Sequence, residues 1–198
     1  KPAHEANITE QPKHNINSAS VVYNHLLRSQ DNLSFNAAMQ HVKRDSYYGG
    51  ISSGHPLKDY GLTRDLSYNF GAQYSAHFQQ STLIGGVDFT GENLKDTKPG
   101  NTDYSTTPPS QTPTLTVTDQ HTQTLGGFVQ CSYLWGIATL TAGARLDRYF
   151  LREATKSSTR DGALVPVPRA SLLLKLLPEL QLRVNYSMGY RKPQLYNE

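Results

Sequence analysis

Ser67-Tyr68-Asn69-Phe70-Gly71-Ala72-Gln73-Tyr74-Ser75-Ala76-His77-Phe78-Gln79 is the stretch whose reading decides the fold. Tyr68, Phe70, Ala72, Tyr74, Ala76 and Phe78 share one parity; Ser67, Asn69, Gln73, Ser75, His77 and Gln79 share the other. A period of two held this long marks a β-strand with one apolar and one polar face. The run exceeds the usual five or six residues of a strand. It is long enough to cross a bilayer at a ~45° tilt, which takes about 9–11 residues.

The pattern recurs on both sides of this stretch. Over 32–44, Leu33, Phe35, Ala37 and Met39 oppose Ser34, Asn36 and Gln40. The same criterion predicts strands at 17–28, 32–45, 64–79, 82–94, 122–133, 137–150, 167–176 and 180–191. The connections at Ser29-Gln30-Asp31, Gln80-Ser81, Leu134-Trp135-Gly136 and Leu177-Pro178-Glu179 are tight, whereas 46–63, 95–121 and 151–165 are long. Strict short–long alternation is the plan of an outer-membrane barrel, with tight turns at the periplasmic rim and long loops outside. The expected fold is all-β: an antiparallel meander of eight long transmembrane strands.

Composition agrees with this plan and narrows the function. The mean hydropathy of −0.56 is polar, as a barrel with a wet lumen and polar loops would be. No apolar run reaches the 18 residues of a transmembrane helix. The formal charge of +3 comes without a clustered basic stripe and gives no case for nucleic acid. The single cysteine, Cys131, excludes an internal disulfide and a zinc site built on several thiolates. It shares the apolar parity with Leu125, Val129 and Tyr133.

No phosphate-binding loop, nucleophile elbow or His-Glu-x-x-His helix is present, so no enzyme is expected. Gly49-Gly50, Gly85-Gly86 and Gly126-Gly127 open no helix and read as bulges, bends or close packing. His41, His55, His77 and His121 lack the close spacing of a metal site, and no cofactor is expected.

Aromatic placement suits two interfaces. Trp135 sits at a tight turn, Tyr149 and Phe150 at the far end of the next strand, and Tyr47 and Tyr48 at the loop end of theirs. Fourteen residues at ~3.3 Å and a ~45° tilt rise about 33 Å, close to a bilayer with its interfaces.

Parity then assigns faces. In 137–150, Ala138, Leu140, Ala142, Ala144 and Leu146 look outward, and Thr139, Thr141, Gly143, Arg145, Asp147 and Tyr149 look inward. A charge facing lipid at mid-depth costs about 2–4 kcal/mol, which fixes that choice. In 167–176, Ala170, Leu172, Leu174 and Leu176 face out while Arg169, Ser171 and Lys175 face in. In 180–191, Leu182, Val184, Tyr186 and Met188 face out while Arg183, Asn185, Ser187 and Arg191 face in.

The second half also carries recognisable wording. Gly126-Gly127-Phe128-Val129-Gln130 is followed by Gly143-Ala144-Arg145-Leu146-Asp147-Arg148-Tyr149. Pro168-Arg169-Ala170-Ser171 comes next, then Tyr186-Ser187-Met188-Gly189-Tyr190-Arg191-Lys192-Pro193. Four motifs in this order, at strand-pair spacing, resemble the barrel of a TonB-dependent outer-membrane receptor, in a form similar to those of Bacteroidetes-type bacteria. Lys192 stands where such sequences commonly carry a small residue.

The resemblance implies a 22-stranded barrel around a plug domain, in the outer membrane of a Gram-negative cell. It implies TonB-coupled uptake of a bulky scarce nutrient such as an iron–siderophore, haem, a corrinoid or another metal chelate. The partners implied are outer-membrane lipid, the plug of the same full-length chain, TonB and the transported chelate. Residues 1–198 then read as one partial barrel domain, with plug, TonB box and signal peptide absent from the sequence. Under this resemblance Arg145, Asp147, Arg169, Lys175, Arg183 and Arg191 line a wall that either meets the plug or is a solvated lumen wall with local ion pairs. Tyr47, Tyr48, Tyr60, Tyr104 and Arg160 are the candidates for cargo contact in external loops. Two other classes stay open at this point: a small passive barrel or adhesin, and a soluble all-β module that buries Leu172, Leu174, Leu182 and Val184 in a core.

Overall fold

A computed structural model of the chain describes residues 8–27, 30–50, 60–98, 102–103, 105–108, 110–111, 113–154 and 158–190. The strands are β1 (Ile8–Leu27), β2 (Asp31–Gly50), β3 (Tyr60–His77), β4 (Ser81–Lys98), β5 (Thr102–Asp103), β6 (Ser110–Gln111), β7 (Leu115–Trp135), β8 (Ala138–Glu153), β9 (Ser158–Leu177) and β10 (Leu180–Ser187). Eight of them form one antiparallel sheet in the order β1-β2-β3-β4-β7-β8-β9-β10, a pure meander. The short β5–β6 hairpin sits in the connection between β4 and β7.

The tight turns follow local chemistry. Trp135 pairs with Ala138 around Gly136-Ile137, and Gly136 adopts φ 57°, a left-handed conformation that a side chain would strain. Leu177 pairs with Leu180 around Pro178-Glu179. Proline holds φ near −65°, which the positive-φ hairpin turns cannot use. The hairpin absorbs the mismatch as a register shift between Leu180 and Gln181.

Strands run longer than periodicity predicts, because pairing continues into segments whose parity no longer alternates cleanly. Tyr47 pairs with Tyr60 and Arg160 with Leu151, so three of the residues expected in loops have strand backbone. Tyr48 likewise belongs to β2. The side chains of Tyr47, Tyr48, Tyr60 and Arg160, and the whole of Tyr104, lie outside the described residues. His121, expected in a loop, is a β7 residue paired with Asn93 and Arg152.

β10 is the exception, ending at Ser187 rather than 191. Met188 N–H donates to the Pro168 carbonyl at 3.1 Å, so the Pro168 nitrogen also points at β10. In an antiparallel ladder Pro166 has the same orientation, and neither nitrogen carries a hydrogen. Two successive donors toward β10 are therefore missing at the level where its ladder stops.

Among the described residues no second layer covers the sheet. Among the described residues Ala76 and Leu151 are the only buried apolar side chains. The accessible surface is 14417 Å², against about 9,300 Å² expected for a folded globule of this mass. Leu182 and Val184 are 50% and 58% exposed, and Leu172 and Leu174 are half-buried, so the core that the soluble two-layer alternative requires is not found among the described residues.

Glycines let large rings lie flat on neighbouring strands. A Cβ on Gly91 would strike the Tyr68 ring, one on Gly86 would meet Phe128 Cζ at 2.7 Å, and one on Gly162 would meet Tyr149. Close packing is thus the role of Gly86.

Candidate functional site: the charged face of the sheet

Register decides which charges meet. Asp88 of β4 pairs with Gly126 of β7, which pairs with Asp147 of β8. Arg145, two residues before Asp147 on the same face, reaches back over Gly126 to Asp88. Its Nη1 donates to Asp88 Oδ2 at 2.5 Å and its Nη2 to Asp88 Oδ1 at 2.7 Å, a forked, charge-assisted pair. Its Nε lies 2.7 Å from Asp147 Oδ1. A Cβ on Gly126 would sit 2.5 Å from Asp147 Oδ1 and 2.8 Å from Arg145 Cζ, so only glycine leaves this path open.

The network continues past β10. Tyr190 Oη donates to Asp147 Oδ2 at 2.9 Å, and its ring stacks on Tyr149 with centroids 6.5 Å apart. Asp147 is 5% exposed, the most enclosed carboxylate beside Glu153 among the described residues. A chain of contacts, Asp88–Arg145–Asp147–Tyr190, thereby links β4, β8 and the segment after β10 across the charged face. One guanidinium between two carboxylates leaves the cluster one negative charge. The chemistry available is electrostatic positioning and hydrogen bonding, and among the described residues no metal donor set surrounds it.

The remaining candidates share this face but not this cluster. Arg169 pairs with Gly143 and with Ser187, Lys175 with Gln181, and Arg183 with Leu173. Among the described residues none of the three has an acidic partner. Arg191 lies outside the described residues. Other contacts continue along the face: Arg44 Nη2 donates to Thr63 Oγ1 at 3.2 Å, Thr63 Oγ1 donates to Asp96 Oδ1 at 2.7 Å, Asn36 Nδ2 donates to Asn69 Oδ1 at 2.5 Å, and the Ser132 and Thr141 hydroxyls are 2.9 Å apart.

Asp88 and Tyr190 are the site residues that sequence reading did not single out. Asp88 stands alone between Val87 and Phe89, a lone carboxylate on the polar parity of an apolar strand. That anomaly was a visible signal; its partner, 57 residues away, was not.

The opposite face holds the apolar band. Val21, Ala37, Phe70, Phe89 and Leu125 fall in one cross-strand row, and Tyr23, Phe35, Ala72, Val87, Gly127 and Leu146 in the next. Cys131 is exposed on this face beside Leu83 and Ala142. At its lower rim Asp31 accepts from Tyr74 Oη at 2.7 Å and from the His77 N–H at 3.0 Å, tying two neighbouring turns together.

Residues 4–198 match the family described as TonB dependent receptor-like, beta-barrel. No curated protein matches the chain. Among solved structures, the ferric citrate transporter FecA in its unliganded form superposes with a TM-score of 0.57 at 18% identity, over 87% of this chain and 27% of that one. The FpvAI–pyocin S2 complex superposes with a TM-score of 0.65 at 12% identity, over 87% of this chain and 25% of the other. Likeness at such identities is one of fold, and the chain spans about a quarter of the length of each. With the meander, the two-faced strands and a family match over nearly every residue in hand, the chain belongs to the TonB-dependent receptor-like β-barrel family.

Proposed function

We propose that this chain forms part of the wall of an outer-membrane receptor for TonB-coupled import of a bulky, scarce nutrient, with an iron–siderophore, haem, corrinoid or other metal chelate as cargo class. The observation that carries the reading is the opposition of the two faces. A charge-free apolar band covers one side of β2, β3, β4 and β7, and the Asp88–Arg145–Asp147 cluster sits on the other. Lipid accepts the first face and a wet lumen the second. Binding of ferric citrate belongs to FecA; here it supports a chelate only as a class.

The charged wall divides into two parts under this proposal. Arg145 and Asp147 satisfy each other and Asp88 on the wall, which favours a local structural role. Arg169, Lys175 and Arg183, which have no acidic partner among the described residues, would meet a plug domain of the full-length protein. The test is deletion of the gene in its own host under iron and corrinoid limitation, with uptake of labelled chelates measured beside a TonB deletion. Loss of one cargo class in both strains supports the proposal. Unchanged uptake of every class, or recovery of the protein outside the outer-membrane fraction, contradicts it.

A further inference from the structure

Two rows on the apolar face change character abruptly. Lys43, Arg64 and Lys95 are direct cross-strand neighbours, with Asp119 closing the row. The adjacent row toward the turns is His41, Leu66, Asn93, His121 and Arg152. Directly opposed residues have Cβ atoms about 4.5–5.5 Å apart, and like charges at that spacing repel. Three cations in succession are therefore an unfavourable arrangement in the bare sheet.

Local anions answer only part of this charge. Lys43 Nζ lies 3.4 Å from Asp45, Lys95 Nζ lies 3.6 Å from Asp119, and His121 Nε2 also meets Asp119, at 3.1 Å. Arg64 and Arg152 are exposed and have no acidic partner among the described residues. Arg64, Lys95, Asp119 and His121 line a shallow depression of about 390 Å³.

Height identifies the occupant. From His77 near the tight turn, β3 takes 13 steps to Arg64, a climb of about 30 Å at ~3.3 Å per residue and a ~45° tilt. The apolar band of such barrels is about 25 Å tall. Below the two rows this face of β2, β3, β4 and β7 carries no charged side chain until Asp31 at the turn. Arg148, one strand further, extends over the Phe150 ring at 5.0 Å, an aromatic nearer the basic rows.

We infer that Lys43, Arg64, Lys95 and Arg152 form a phosphate-binding belt for the phosphorylated headgroups of lipid in the leaflet around the outer rim. The inference rests on the membrane orientation proposed above and deepens it by naming a lipid site. Guanidinium and ammonium groups supply forked and point-charge donors to phosphate oxygens. Phosphate fits here because the repelling row gains its counter-ions from the membrane.

The experiment uses the full-length receptor purified in detergent from outer membranes, with retained phosphorylated lipid counted by native mass spectrometry. The receptor is then placed in nanodiscs containing the host's phosphorylated outer-leaflet lipid or its dephosphorylated form. Wild type is expected to retain the phosphorylated lipid. An Arg64→Gln/Lys95→Gln variant is expected to lose it about tenfold, while Arg44→Gln, which removes a cation from the opposite face, retains it. Millimolar inorganic phosphate is expected to leave the lipid in place. Equal retention by wild type and the double variant, equal loss in Arg44→Gln, or displacement by inorganic phosphate overturns the belt. Recovery of the receptor in the outer membrane with unchanged lipid retention defeats the belt alone. Absence from that membrane defeats the orientation itself.

Discussion

Arg145 grips Asp88 with both terminal nitrogens, at 2.5 and 2.7 Å, by crossing the bare backbone of Gly126. The pair joins strands that are not hydrogen-bonded to each other, since β7 runs between them. It is a forked, charge-assisted contact of the polar face, and its geometry depends on one missing side chain.

Arg145→Ala leaves Asp88 and Asp147 facing each other without a counter-ion. The guanidinium is about a third exposed, so the loss is expected below that of a fully buried pair, at about 1–3 kcal/mol. Gly126→Val should cost a similar amount by blocking the path. Because both changes break one interaction, the double variant should cost little more than the worse single. Thermal melting of the full-length receptor in detergent measures all three; fully additive losses would show that Gly126 and Arg145 act independently.

Val87→Lys places an ammonium in the middle of the apolar band and is expected to destabilise by about 2–4 kcal/mol. Gln73→Lys, on the opposite face one strand away, should cost under 1 kcal/mol, as a solvated surface change does. Denaturant unfolding from vesicles compares the two. Equal costs would mean that the faces do not differ in environment.

Pro168→Ala restores a donor aimed at β10. The ladder should extend past Ser187, and the amides of Met188 to Tyr190 should exchange several-fold more slowly with solvent deuterium. Unchanged exchange there would show that something other than the missing donors ends the strand.

Asp65 lies beyond the apolar band of β3, and burial raises its carboxyl above the ordinary value of 3.8 while His41 lowers it less. Its Oδ1 is buried with no hydrogen-bond partner among the described residues. The unfolded chain releases this proton at lower pH than the folded one does, so folding is penalised as pH rises through that interval. Stability should therefore rise on acidification toward the unfolded value. Asp65→Asn should be more stable at pH 7 and lack this contribution to the pH slope. Parallel stability curves for the two proteins from pH 7 to 4 would rule it out.

The eight strands and their two faces were legible because side-chain parity is a property of each strand by itself. Arg145, Asp147, Arg169, Lys175 and Arg183 accordingly share the face that alternation assigns them. Register is not such a property. The Arg145–Asp88 pair and the Lys43–Arg64–Lys95 row arise only when separate strands align, which is why no basic stripe showed in the linear sequence. Strand ends escaped for a related reason: backbone pairing carried Tyr47, Tyr60 and His121 into the sheet where alternation had faded, and two prolines cut β10 short where alternation persisted.

The most direct test of the two-faced wall is collision accessibility of nitroxide labels in the full-length receptor in vesicles, on a Cys131→Ser background. Labels placed singly at 68 to 76 along β3 should alternate out of phase, with oxygen from the lipid reaching positions 68, 70, 72, 74 and 76, and a water-soluble nickel chelate favouring the positions between. Equal access of the nickel chelate to both parities would contradict the account.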